Sequence, residues 1–308
     1  MDNKYIWTGK PGAADENERQ ETAGEERMKI YLMTDMEGCA GILDFENWVF
    51  PQGRYYDKGK RLLTLEVNAV CRGFFDAGAD EILVVDGHGH GGIDPELLDG
   101  RLQLLRGVPD PVWPYGLDAS FDAFACVGQH AKAGTPLSHL THTSSPMLID
   151  ETVNGLSIGE YGQMALCARE LGIPSIFAAG EQALTEEAIA LTPGIVTVSV
   201  KRGLLPDDGM RELTTEQYRR AKLSAVHLAP RRARALLYDG AFRAVKKFLA
   251  CPADFRYPDL APPYEIRMEC RRDEEHDTPY FLVRRHPDSF IGAMNTKPEE
   301  PQKQREEA

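Results

Sequence analysis

From residue 28 to residue 200, short apolar runs alternate with longer stretches in which apolar residues recur every three or four positions. Met28 to Met33 is the first run and stops at Thr34-Asp35; Glu81 to Val85 stops at Asp86-Gly87; Ala123 to Val127 stops at Gly128; Ser175 to Ala179 stops at Gly180. Each reads as a buried strand. Between them, Leu62, Leu65, Ala69, Val70 and Phe74 predict a helix over residues 58–77 ending at Gly78. Further helices are predicted over 159–171 and 181–191, before a strand over 195–200. Strand and helix in alternation predict an α/β fold, a mainly parallel sheet flanked by helices.

After Gly203 the pattern changes to a long basic helical region over about 214–250, interrupted near Pro230, then strand patterns over 264–270 and 280–284. This predicts a smaller C-terminal α+β lobe over 204–296, beside a metal-binding α/β hydrolase domain over 28–203. Residues 1–27 and 297–308 are too polar to offset the entropy of ordering and read as disordered tails. No repeat is evident.

Composition narrows the function. The formal net charge of -13 argues against a nucleic-acid surface, which needs clustered Lys and Arg. No run of about 18 apolar residues and no secretory leader is seen, so neither membrane insertion nor export is expected and the cytoplasm is the default location. Cys39, Cys71, Cys126, Cys167, Cys251 and Cys270 are widely spaced, without a CxxC pair, and read as reduced thiols.

In an α/β sheet the chemistry collects just past the carboxyl ends of strands. The first strand delivers Asp35 and Glu37, the second His88 and His90 between glycines, and the third His130. Glu160 follows at a helix start, where a carboxylate also suits the helix dipole. Five of the eight histidines fall between residues 88 and 142. Two carboxylates, two or more imidazoles and a third carboxylate form a mixed N/O donor set suited to Zn²⁺ or a similar divalent ion. Two ions sharing one carboxylate would use every donor.

The segments Thr34-Asp35-Met36-Glu37-Gly38, Asp86-Gly87-His88, Gly128-Gln129-His130-Ala131-Lys132-Ala133-Gly134-Thr135-Pro136 and Gly159-Glu160, in that order, resemble the D-aminopeptidase family typified by the peptidase of the bacterial dipeptide-transport operon. The resemblance covers roughly residues 28–200. It implies a metallo-aminopeptidase acting on short peptides, with two zinc ions per chain. Asp35 would be the shared ligand, Glu37 and His130 would complete one site, and His88 and Glu160 the other. It also implies a catalytic histidine, which counting back from Glu160 places on His142, with His139 the second candidate, and a ring-shaped homo-oligomer, a decamer. Residues 204–220 look like an insertion. Rival readings are another metal-dependent amidase or phosphoesterase, and a non-catalytic metal- or ligand-binding oligomer.

Overall fold

In β1 (Lys29–Thr34), Ile30 and Leu32 face one apolar layer while Tyr31 and Met33 face another, the period-two alternation of a strand buried on both sides. The same holds for β2 (Glu81–Asp86) and β4 (Ala123–Gln129); β7 (Ser175–Glu181) is buried throughout, with Ile176 and Phe177 both in the first layer beside a register shift. These strands, together with β3 (Gln103–Leu105), β8 (Val196–Gly203) and β9 (Ala225–His227), form a seven-stranded sheet ordered β3-β2-β1-β4-β7-β8-β9. It is parallel except for β9. The coordinates are a computed structural model, which describes residues 27–257 and 260–300.

Helices cover both faces. On one, α1 (Tyr56–Ala77) buries Leu63, Val67, Val70 and Phe74 at three-to-four spacing, and α5 (Pro230–Ala250) lies beside it through Leu237, Ala241 and Val245. Each such large side chain contributes about 1.5–3 kcal/mol on burial. On the other face sit α2 (Glu160–Glu170) and α3 (Gln182–Leu191).

A second, antiparallel sheet is ordered β11-β10-β5-β6, from β5 (Leu148–Val153), β6 (Leu156–Ser157), β10 (Tyr264–Cys270) and β11 (Tyr280–His286). It packs with α6 (Phe290–Asn295) against Leu166 and Cys167 of α2. Because α2 is thus sandwiched between two sheets, it is apolar nearly all round.

The expected helical region over 214–250 is corrected in part. It breaks into α4 (Thr215–Arg219), strand β9 and α5, and Pro230 opens α5 at its first turn, where the missing N–H has no partner to lose. Residues after 203 contribute to both sheets. Of the polar tails, only Arg27 and residues 297–300 fall among the described residues; there Glu299 exchanges backbone hydrogen bonds with Val283. Among the described residues no helix is long and apolar enough to cross a membrane.

The strand order fixes where a site can form. From β1 the chain crosses to β2 and β3 on one side, and from β4 to β7 and β8 on the other. Connections diverge at the carboxyl ends of β1 and β4 and leave a crevice there, the usual ligand position in such sheets.

Candidate metal centre

The crevice is held open by main chain meeting main chain. A Cβ on Gly38 would lie 2.0 Å from the Gln129 carbonyl oxygen, and one on Gly128, at φ +73, 2.0 Å from that of Asp35. Only glycine permits this approach. The turn after β1 and the end of β4 therefore nest, and Gly38 N–H donates to the Gly128 carbonyl at 2.7 Å.

Onto this frame the sequence places its carboxylates and imidazoles. The His88 loop is fixed by Asp86, whose carboxylate accepts from Gly92 and Ile93 N–H, and by Arg106, whose guanidinium donates to the carbonyls of Asp86, His88 and Gly89. His88 Nδ1 stands 3.2 Å from both Asp35 Oδ1 and Glu37 Oε2. His130 Nε2 is 3.1 Å from Asp35 Oδ2 and 3.5 Å from Glu160 Oε2. His142 Nε2 is 3.7 Å from Glu160 Oε1. Gln129, which the sequence reading passed over, donates its amide to Asp35 Oδ2 at 3.0 Å and to Glu160 Oε2 at 3.2 Å and so spaces the two carboxylates.

Each ring is oriented from behind by a main-chain carbonyl: His88 Nε2 on Val49 at 3.0 Å, His130 Nδ1 on Ala131 at 2.9 Å and His142 Nδ1 on Leu140 at 3.0 Å. In the neutral ring, with the rear N–H donated to a carbonyl, the front nitrogen would be left as the lone pair a metal ion needs. Glu37 Oε2 and His130 Nε2 are buried and have no well-aligned hydrogen-bond partner. One ligand atom each from Asp35, Glu37 and His130 lie within 4.8 Å of one another, and so do those of His130, His142 and Glu160. Orphaned donors facing one another fit a cation.

Electrostatics agree. Burial by itself lowers the pKa of a histidine, yet the charges of Glu37 and Asp35 push His88 up to about 12, and Glu160 and Asp35 raise His130 well above its ordinary value. Burial would raise Asp35, but hydrogen bonds from His130 and His88 hold it well below the carboxylate range. The cluster is short of positive charge.

The other histidines part company here. His90 is exposed on the cavity rim, edge-on to Phe50. His139 is fully buried away from the cavity, its Nε2 on the Leu43 carbonyl at 3.2 Å and its Nδ1 3.0 Å from Lys201 Nζ. Burial, Lys201 and His227 push His139 down to about 2. Behind the centre, buried Lys201 donates to the Glu37 carbonyl. A lysine just beyond the apolar alternation of β8 is a faint signal, and sequence reasoning missed it.

The cavity over these groups holds about 320 Å³. Phe45, Val49, Phe50, Trp113, Tyr115 and Met164 supply apolar wall, and among the described residues no Lys or Arg lines it.

A family profile described as D-aminopeptidase matches residues 28–284. The chain belongs to the D-aminopeptidase family. It is 31% identical over 177 residues to the D-aminopeptidase of Bacillus subtilis strain 168, an alignment that covers 57% of this chain and 64% of that protein, so the match spans less than two thirds of the relative's length. Among solved structures it is similar to "Zn-dependent D-aminopeptidase DppA from Bacillus subtilis, a self-compartmentalizing protease", at TM-score 0.73 and 22% identity over 87% of this chain and 95% of that one. The latter likeness bears on the fold.

Proposed function

We propose that the protein is a metal-dependent aminopeptidase that hydrolyses short peptides with D-amino-acid N-termini. Asp35, Glu37, His88, His130 and Glu160 would hold two zinc ions and His142 would carry the proton. One observation carries the reading: three carboxylates and three rear-oriented imidazoles converge on a cavity that no Lys or Arg lines. Such a cavity receives a substrate end bearing an ammonium group. A phosphoesterase could use the same pair of ions, and the D-aminopeptidase family match favours the peptidase reading.

When bound, the ions would polarise the scissile carbonyl and lower the pKa of water. The residues do the rest. His142 Nε2 faces the cavity and takes up the proton lost as water adds to the scissile carbon. It returns that proton to the departing nitrogen as the C–N bond breaks, while the Leu140 carbonyl keeps its Nδ1–H in place. Gln129 holds Asp35 and Glu160 apart, and the apolar wall excludes bulk water from around the reacting bond.

The B. subtilis protein is described as a self-compartmentalizing protease. We extend this to a closed homo-oligomer here, a ring-shaped decamer, which light scattering on the purified chain checks; a monomer at micromolar concentration would refute it. The six unpaired cysteines suit the reducing cytoplasm. The activity itself is tested with D- and L-aminoacyl p-nitroanilides alongside p-nitrophenyl phosphate, before and after chelation. The expected result is chelator-sensitive cleavage of the D-aminoacyl substrate; turnover of the phosphate ester alone would overturn the assignment.

A further inference from the structure

The loop that carries His142 is strained. Leu137, Leu140 and Ser144 have φ of 52°, 56° and 57°, a left-handed conformation that side-chain-bearing residues avoid, and the last two flank His142 at two residues on either side. Such a backbone persists only where its surroundings over-determine it.

The surroundings in question are residues 204–222, which contain the 204–220 stretch that reads as an insertion, together with Arg271 just after β10. Leu137 N–H donates to the Leu205 carbonyl at 2.8 Å. Gly134 N–H donates to the Tyr218 hydroxyl at 3.3 Å. Lys222, 3% exposed, donates to the Thr135 carbonyl and pairs with Asp207 at 2.7 Å. Arg271, 1% exposed, has its guanidinium 3.9 Å over the Tyr218 ring. It donates through Nε to the Pro146 carbonyl at 3.1 Å, and through Nη1 to the carbonyls of Met210 and Leu213. A buried cation satisfied by carbonyls of two separate loops ties those loops together. The Pro146 end of the His142 loop and residues 210–213 are joined through this one side chain.

We propose that residues 204–222 and Arg271 form a brace that holds the His142 loop in its strained, working geometry, which makes Arg271 a positioning residue for turnover and not for metal retention. This rests on the reading of His142 as the proton carrier. Arg271 itself does not line the cavity and bonds none of the candidate ligands; it meets the wall from behind, at the Pro146 carbonyl. Its removal moves a proton-transfer group by distances that cost up to about 10²-fold in rate.

The test compares Arg271→Met, Arg271→Lys and the milder Tyr218→Phe with the parent, all zinc-loaded. kcat, KM, zinc content and amide hydrogen exchange are measured for each. In Arg271→Met, kcat is expected to fall about 10–100-fold with KM within about threefold and zinc content unchanged. Exchange of residues 137–146 should quicken about tenfold or more while β4 stays protected. Arg271→Lys should recover part of the loss, and Tyr218→Phe should show the same pattern at severalfold size. Unchanged exchange over 137–146 in the variants, or loss of zinc in step with kcat, overturns the brace. If Arg271→Met does not fold, Tyr218→Phe decides on the same readouts. If the parent fails to cleave aminoacyl substrates the proposed function falls, and the exchange comparison still judges whether the loop is held from behind.

Discussion

His130 and His142 stack ring on ring, centroids 4.0 Å apart and planes 15° from parallel, with Glu160 beside both front nitrogens. One imidazole meets Asp35 as well, and the other does not. A candidate ligand and a candidate proton carrier are thus held as neighbours by one carboxylate.

That arrangement separates their mutational effects. His142→Ala is expected to keep its zinc and to lose about 10²–10⁴-fold in turnover, the usual cost of a positioned acid, base or donor. His139→Ala should instead cost stability, about 1–3 kcal/mol, because it strips a partner from buried Lys201 and leaves a void. Zinc analysis, steady-state kinetics and thermal melts check both. An active His142→Ala would remove it from the mechanism.

Two divalent ions per chain are expected at full loading by elemental analysis. Asp35 faces both His88 and His130 through different oxygens, whereas Glu37 faces His88 alone among the ion-paired rings. Asp35→Asn should therefore lose both ions, and Glu37→Gln chiefly one. Equal metal losses would count against a shared carboxylate.

Zinc uptake should release protons. His88 and His130 have raised pKa values and stay protonated at neutral pH in metal-free protein, while a ligating imidazole must be neutral. About two protons per chain are expected to leave on binding, and affinity should weaken as pH falls. Titration calorimetry in buffers of different ionisation enthalpy measures this. Binding without proton release would show that the rings were neutral beforehand.

Glu66, behind the same turn, is pushed up to about 7 by burial although it accepts from Ala40 N–H at 3.0 Å. Its folded value exceeds its unfolded one. The cost of holding it ionised is therefore absent below about pH 4.5 and grows as pH rises through 7, toward roughly 3 kcal/mol. Glu66→Gln keeps an acceptor for Ala40 and should gain stability over the parent as pH goes from 5 to 8, read by urea melts. A difference that does not vary with pH would show that Glu66 is ionised without penalty.

The sheet was legible because β1, β2, β4 and β7 are apolar on both faces, and the site because its donors directly follow those strands. What escaped has physical reasons. β9 lies in a stretch whose composition favours helix, and only its pairing with β8 makes it a strand. β5 depends on β10, more than 100 residues away, for its neighbour, and β6 is held only through β5. The resemblance joins Glu37 with His130, whose ligand atoms lie in one group with Asp35, and His88 Nδ1 also stands equidistant from Asp35 and Glu37. Spacing along a chain does not encode distances across a crevice. Lys201 and Arg271 stayed hidden because charged residues usually face water.

The nested turn of Gly38 and Gly128 carries a consequence for descent. The frame is locked by backbone atoms, and the donor groups hang from it as short side arms, so trading an imidazole for a carboxylate at one position would leave the scaffold undisturbed. Relatives could drift in metal preference by single exchanges. The two glycines could not drift with them, since any larger residue would drive the two turns apart and dissolve the socket at a stroke.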